Sequence, residues 1–502
     1  MNKKRSIYNM TMGLFSQMLI LATSILLPRL IMVSMGSEAN GLINSVNQAL
    51  VYLSLLEAGV GTVTIQALYK PVAEDDKGSI CRILAAAKKY YLRTGTVFAV
   101  LVLVFSVIYP LLVKTELPAP TVMLVILFSG GGSVLTYFIN GKYWLLLQAE
   151  GKHYIRSAVS TTIHILLSVA KIGLLLAGFD VVAIQAAYFG AMLIQSTFEY
   201  IYIKRNYQWL DLKVSPDERA IEQKNSVLLH QICGLVFNNT DTLLLTFSWG
   251  LRFVSVYAVY NLVFSQLTNI VLTITTSVMF ALGQSYQANR EKFQEEYNLF
   301  ELAYFLFTFV LASIVGVLIL PFIRIYTSGV TDVDYLNPWY AVLFNVVFIL
   351  SNLRGPAQTS ITVAGHFKKT TNRALIEMGI NLVVSLALLP KFGILGVLLG
   401  TSAALLYRTT DMIVYSAKYI HGKKLSGTCL RLVRNLIPCV AFILIGLYAP
   451  PPVDSFLSFI LYGILFSLLS VAVFLAINLP FERNLRALLA GIVKKVIGRK
   501  GK

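Results

Sequence analysis

Apolar runs too long for any soluble core to absorb are the dominant constraint on this chain. Crossing the hydrocarbon of a bilayer takes about twenty helical residues, because backbone groups there must pair within their own segment. Fourteen segments meet that length: 7–33, 41–67, 90–113, 119–147, 156–178, 181–203, 224–249, 254–285, 298–327, 338–363, 370–390, 394–420, 430–449 and 455–478. Their apolar residues are continuous rather than alternating, which excludes a transmembrane β-barrel. Hydrophobic residues make up 56% of the 502 and charged residues only 13%, where soluble domains carry about a quarter charged. The expected fold is an all-α polytopic membrane protein of about 14 transmembrane helices.

The charges orient it. With the N-terminus inside, as Lys3, Lys4 and Arg5 suggest, 33 of the 42 Lys and Arg residues fall on the cytoplasmic side, counting with it the seven at inner span ends (Arg93, Arg156, Lys224, Arg373, Lys418, Arg431 and Arg434). Lys114, Arg252 and Lys391 fall in outer loops, and Arg29, Lys142, Lys171, Arg324, Arg354 and Arg408 within spans. Counting the acids, the inner side carries +21, the outer side −3 and the spans zero, which accounts for the net +18. An odd error in the number of spans would scramble this asymmetry, so the positive-inside rule supports a multi-pass protein of a bacterial cytoplasmic membrane with both termini cytoplasmic. The basic balance is then topological and calls for no nucleic acid. The first apolar run continues to Pro28–Arg29 without a small-residue cleavage site and reads as a retained span rather than a signal peptide. The tail 481–502 reads as a basic amphipathic helix on anionic lipid.

The chain also repeats itself. VFSVIYPLLV around Pro110 resembles VGVLILPFIRI around Pro321, at an offset of 211. LQAEGKHYIRS around Gly151 resembles ITVAGHFKKTT around Gly365, offset 214, and LLLAGFDVVAIQAAYFGAML around Phe179 resembles ALLPKFGILGVLLGTSAALL around Phe392, offset 213. Three matches in order at one spacing divide the chain into an N-terminal lobe (1–210, spans one to six), a C-terminal lobe (211–425, spans seven to twelve), spans thirteen and fourteen (426–480) and the basic cytoplasmic tail (481–502). An even number of spans per half makes the lobes parallel repeats, related by a pseudo-two-fold along the membrane normal, as in transporters.

Several stretches carry a family resemblance: Ser24–Arg29 (SILLPR), Gly36–Leu42 (GSEANGL), Leu56–Gly61 (LEAGVG), Asn238–Leu245 (NNTDTLLL), Ala364–Gly365 and Phe392–Val397 (FGILGV). Through them nearly the whole chain resembles the polysaccharide-export branch of the multidrug/oligosaccharidyl-lipid/polysaccharide exporter (MOP) superfamily, which includes the O-antigen and capsule repeat-unit flippases. The resemblance implies two six-helix lobes around a cavity that opens alternately to each side. It implies a cargo of undecaprenyl-diphosphate-linked oligosaccharide, moved for surface polysaccharide biosynthesis, with polysaccharide polymerase and glycosyltransferases as partners. Two extra C-terminal helices also occur in flippases of this superfamily. A multidrug/cation antiporter of the same superfamily and a lipid II flippase are the alternatives.

Ionisable residues inside spans cost about 2.5–3.5 kcal/mol each on insertion scales and point to function. A diphosphate asks for cations, and arginine binds phosphate bidentately and stays charged. Arg29, Lys171, Arg354 and Arg408 are therefore the candidate substrate-binding cations. Arg408 and Asp411, spaced i, i+3, could equally satisfy each other. Glu57, Asp241 and Asp411 are candidates for coupling to H⁺ or Na⁺ or for latching a lobe. Lys142, Glu199, Glu301 and Glu377 lie nearer the inner span ends and read as interface anchors, and His164 and His230 as structural. No cofactor or metal site is expected: no Cys/His cluster has zinc spacing, and Cys81, Cys233, Cys429 and Cys439 form no framework. No Walker A, HExxH or GxSxG sequence occurs. The longest outer loop, about 327–337, is too short for a polymerase's catalytic domain, so no enzyme is expected.

Overall fold

The computed structural model describes residues 22–54, 60–221, 239–482 and 485–486. Glu57, His230, Cys233 and nearly all of the tail helix expected over 481–502 lie outside the described residues. The described chain is helical throughout: α1 (Ala22–Met35), α2 (Ser37–Leu53), α3 (Val60–Ala73), α4 (Lys77–Leu112), α5 (Ala119–Leu135), α6 (Gly141–Ala149), α7 (His153–Leu176), α8 (Val181–Asn206), α9 (239–249), α10 (Leu251–Ala288), α11 (Arg290–Tyr326), α12 (Pro338–Leu353), α13 (Gly355–Val363), α14 (Phe367–Phe392), α15 (Ile394–Tyr415), α16 (Ser426–Tyr448) and α17 (Phe456–Asn478). Among the described residues ten helical segments are long and apolar enough to cross a membrane, and the chain is a multi-pass membrane protein. Those ten correspond to ten of the fourteen expected spans. Of the other four, 7–33, 41–67 and 224–249 each include undescribed residues, and 394–420 forms α15, whose Arg408 and Asp411 lower its apolarity.

Polar side chains outside the apolar runs start the helices. Asp76 and Asp180 accept from Ser79 N and Ala183 N at 3.0 Å, and Asn289 and Asn337 cap α11 and α12. Such caps satisfy backbone donors that a helix start leaves open.

The chain forms two compact units, the first of Met1–Ala258 with Gly329–Val333 and the second of Val259–Ser328 with Asp334–Lys502. Their packing order repeats. In the first unit α4 packs on α5, α5 on α8, and α7 on α8; in the second, α11 packs on α12, α12 on α15, and α14 on α15. The fourth span of each half is also interrupted at matching places. A π-helical turn, Thr136–Asn140, separates α5 from α6, and at the repeat offset of 214 the second half breaks between Leu353 and Gly355. A π turn loosens carbonyls from the helical ladder. The Lys142 ammonium donates to two of them, Phe138 O at 2.8 Å and Ile139 O at 3.0 Å. Lys142 is 6% exposed, so it closes an interruption inside the bundle rather than anchoring the interface as its position along the span suggested.

The first unit's core gathers Tyr91, Phe98, Tyr109, Tyr137 and Leu146, crossed by a polar seam. Asn40 donates to Ser255 Oγ (2.8 Å), Ser45 pairs with Thr246 (2.7 Å), and Tyr109 OH donates to Ser45 Oγ (2.6 Å). In the second unit Asn381 donates to Thr401 Oγ1 (2.9 Å) and Asn478 to Asn435 Oδ1 (2.7 Å). Hydrogen bonds of this kind add about 0.6 kcal/mol each between membrane helices, so close van der Waals packing must supply the rest. The spans α11 and 338–363 are more than half buried, whereas α17 presents Leu461, Leu465 and Leu468 outward, as a lipid-facing helix would.

Two glycines on neighbouring helices separate close packing from mere tolerance. A Cβ at Gly400 would lie 2.1 Å from Ser385 Oγ and 2.7 Å from Ser385 N, so α15 can meet α14 closely only with glycine there. A Cβ at Gly379, on α14, meets nothing within 4 Å. Gly400→Ala is expected to destabilise by about 1–3 kcal/mol through overpacking, and Gly379→Ala to be neutral or to stabilise by about 0.5–1 kcal/mol through helix propensity. Unfolding of both variants in mixed micelles checks this; equal effects would show that α14 and α15 do not meet at Gly400.

Candidate functional site

The interruption of the tenth expected span sets up a buried charge ladder. Pro356 has no N–H to continue the helix and its ring crowds the preceding turn, so α12 ends at Leu353. Gly355 lets the Tyr304 ring close over the break, since a Cβ there would fall 2.3 Å from the phenol oxygen. Arg354, at the junction, donates from Nη1 to Glu377 Oε1 on α14 at 2.7 Å. The other oxygen of Glu377 lies 3.3 Å from Arg408 Nε on α15. Arg408 Nη1 donates to Asp411 Oδ2 at 3.1 Å, and Asp411 Oδ1 accepts from Arg373 Nη1 on α14. The order is cation, anion, cation, anion, cation. Thr409 Oγ1, beside Arg408, donates to Leu350 O at 2.8 Å and ties α15 to the last turns of α12.

Exposure varies along the ladder. The Arg408 side chain is 6% exposed, whereas the terminal arginines, Arg354 and Arg373, are 20% and 32% exposed. Three guanidinium groups face two carboxylates, so the ladder keeps one net positive charge. Its outer end continues through Arg373, 4.9 Å from the centre of the Tyr415 ring, to the Tyr415 hydroxyl and His366 Nδ1, 3.1 Å apart.

Arg354, Arg408 and Asp411 thus fall in one cluster of the second unit, and Arg29, Lys171 and Asp241 in the first unit. The Lys171 ammonium lies 5.7 Å from the centre of the Tyr188 ring. Asp241, 5% exposed, accepts from Tyr257 OH at 3.1 Å, and its neighbour Thr240 pairs with Tyr52 OH at 2.5 Å. His164 pairs with Thr23 Oγ1 at 2.7 Å. Among the described residues no group of three or more His, Cys, Asp or Glu could hold a metal ion. Position along the span made Glu377 an interface anchor and put Arg373 among the inner-side charges, so neither joined the candidate cations. The i, i+4 spacing of Arg373 and Glu377, opposite the i, i+3 spacing of Arg408 and Asp411, was the available signal.

A second charged cluster lies where α11, α16 and the segment after α17 meet. Arg431 donates from Nη1 to Glu301 Oε2 (2.8 Å) and grips Glu482 through Nε and Nη2, both at 2.9 Å. Arg434 Nη2 donates to Glu482 Oε1 at 2.7 Å. Burial raises the Glu482 carboxyl, but the hydrogen bonds and charges of Arg431 and Arg434 outweigh it and hold it below the usual range.

No protein-family model matches the sequence, and no curated protein matches it. Solved structures do match. The lipid II flippase MurJ, in an inward closed conformation, aligns with a TM-score of 0.68 at 14% identity over 94% of this chain and 99% of its own. An inward-facing multidrug resistance MATE transporter of the MOP superfamily aligns with a TM-score of 0.65 at 13% identity over 84% of this chain and 95% of its own. A MOP superfamily transporter from Pyrococcus furiosus, described as having a binding pocket of reverse polarity, gives 0.50 at 14% identity over 81% and 94%. At these identities the likeness establishes the fold, which is the one shared by MOP superfamily transporters.

Two measurements follow from the clusters. Removing one partner of a buried ion pair costs about 3–5 kcal/mol, so Arg408→Ala is expected to destabilise strongly. In a double-mutant cycle with Glu377→Ala the two should couple by at least about 1 kcal/mol; additive effects would mean that the pair does not interact. Glu482 has a depressed carboxyl, so its stabilising contribution is present above the ordinary carboxylate pKa of about 4.3 and is lost as pH falls through its lower folded value. Wild type should therefore exceed Glu482→Gln in unfolding midpoint at pH 7, with the gap closing below about pH 4.

Proposed function

We propose that this protein is a flippase for lipid-linked oligosaccharides, carrying an undecaprenyl-diphosphate-linked repeat unit across the cytoplasmic membrane by alternating access for surface polysaccharide biosynthesis. The observation that carries this reading is the Arg354–Glu377–Arg408–Asp411–Arg373 ladder, buried within the second unit and positive overall. A site for cationic drugs would carry excess acid, so the ladder disfavours the multidrug/cation antiporter.

The ladder suits a diphosphate because its ends can change partners. A phosphate oxygen approaching Arg354 competes with one oxygen of Glu377, which keeps Arg408 beside its other oxygen. At the far end, a phosphate engaging Arg373 leaves Asp411 bonded to Arg408. Arginine offers paired donors that match two phosphate oxygens and holds its charge throughout. Exchange of one anion for another costs far less than baring a buried charge. Arg29 and Lys171 are assigned to the same cargo from the first lobe. Asp241, with the hydroxyl of Tyr257, offers the oxygen chemistry that a proton or Na⁺ needs for coupling, and Glu57 is proposed for the same role. A lipid II flippase would meet the same diphosphate, and the MurJ alignment favours keeping that cargo in the test.

Loss of the protein should leave undecaprenyl-linked sugar repeats accumulating on the cytoplasmic face; normal surface polysaccharide with altered drug tolerance would overturn the reading. Accumulation of lipid II alone would transfer the cargo to peptidoglycan precursor. Arg354→Gln and Arg373→Gln should each lower export about tenfold or more, as loss of a charge-assisted phosphate contact predicts. The unfolding midpoint serves as a separate readout, and a stability loss with full export would leave both arginines structural.

A further inference from the structure

The cluster around Arg431 borders a cavity of about 380 Å³ that the transport reading leaves unused. Four cations line it, Lys423, Lys424, Arg431 and Arg434, against two carboxylates, Glu301 and Glu482, which leaves a surplus of two positive charges. The carboxylates do not neutralise the cations evenly. Arg431 spends Nε, Nη1 and Nη2 on them. Arg434 contributes only Nη2, and its buried Nε has no hydrogen-bond partner among the described residues. The Lys423 ammonium meets a neutral amide, Asn298 Oδ1, at 3.1 Å, and Lys424 forms no ion pair among the described residues. His421, also in the lining, adds no charge: burial, with Lys423 and Arg290 nearby, pushes it down to about 3.

The cavity lining reaches the surface as a mixture of apolar and basic side chains: Leu430 and Phe481 are 61% and 67% exposed, and Lys423 and Lys424 are exposed as well. Lys423 and Lys424 open the loop before α16, on the side that the charge asymmetry assigns to the cytoplasm. Exposed lysines beside exposed apolar side chains at the end of membrane helices match a phosphate joined to a hydrocarbon anchor. The second lobe supplies Glu301, Lys423 and Lys424 to the cavity, while α16 and the segment after α17, outside the duplicated twelve spans, add Arg431, Arg434 and Glu482.

We propose that this cavity binds a phosphate group, carried by an anionic phospholipid of the inner leaflet, through Lys423 and Lys424, with Arg434 adding its charge behind them. The phosphate charge fills the surplus that Glu301 and Glu482 leave. The site is separate from the arginine ladder, and its occupancy does not depend on which cargo the protein carries.

The test is direct binding to the full-length purified protein, read by native mass spectrometry and by the unfolding midpoint, with no transport step. Two probes separate the phosphate sources: phosphatidylglycerol in mixed micelles, with phosphatidylethanolamine as the zwitterionic control, and inorganic phosphate alone. Wild type is expected to retain phosphatidylglycerol and gain stability from it. Lys423→Gln/Lys424→Gln, at two exposed positions that should leave folding intact, is expected to weaken that binding about tenfold or more, at about 1 kcal/mol per basic residue near a membrane surface. Inorganic phosphate that binds as well, with the same dependence on both lysines, would keep the phosphate site but replace the lipid with a soluble anion. Phosphatidylglycerol binding that is unchanged in the double variant, or matched by phosphatidylethanolamine, would overturn the proposal.

Discussion

Arg408 is almost wholly buried, and much of the second unit is arranged around that fact. A guanidinium cannot shed its charge at any accessible pH and offers donors in a fixed fork, so it must be met by acceptors in fixed places. Glu377 and Asp411 meet it on two sides. Each carboxylate, once buried, needs a second cation, which Arg354 and Arg373 supply. Holding all five groups within reach requires α14 and α15 to pack closely, which Gly400 permits, and requires α12 to end where it does. Sequence, break and helix contact are consequences of one desolvated charge.

The two halves handle the same interruption differently. In the first unit the π turn at Thr136–Asn140 frees carbonyls, and Lys142, a few residues on, donates back to them. The cation is consumed locally. In the second, Arg354 sits at the break itself and sends its guanidinium across to Glu377 on another helix. One interruption is mended and the other is turned into a link between helices. A duplicated fold can diverge in this way without disturbing its packing order, since the pairings of α4, α5, α7 and α8 recur in α11, α12, α14 and α15.

The helical, multi-pass fold was legible because length and continuity of apolar runs have no other solution in this composition. The repeat was legible from three short matches. The ladder was only half legible. Position along a span ranks a charge by its depth, and on that ranking Glu377 and Lys142 looked like interface residues. Depth says nothing of which way a side chain faces, and both turn into the bundle, to Arg354 and Arg408 in one case and to freed carbonyls in the other. Arg373 was hidden for the same reason, being counted with the inner-side charges. Its spacing from Glu377 marks a shared helix face, but only the pairing of α14 with α15 shows that this face meets Arg408 and Asp411. That pairing is a tertiary fact with no signature in either helix alone.

The order of charges in the ladder matters more than their sum. A ladder with acids at its ends would carry its cations inside and repel an incoming phosphate at both entrances. Here the ends are arginines and they are the more exposed members, while the most buried member, Arg408, is flanked by carboxylate on both sides. On the proposed reading, an anion arriving at either end would find a partly committed guanidinium and release one carboxylate oxygen rather than a whole carboxylate. In the proposed exchange the centre would stay paired, so the helices it joins would not be asked to separate. The arrangement around Arg431 follows the same logic in a different place: a fully committed arginine holds two acids, and the lysines nearby, Lys423 and Lys424, are left exposed.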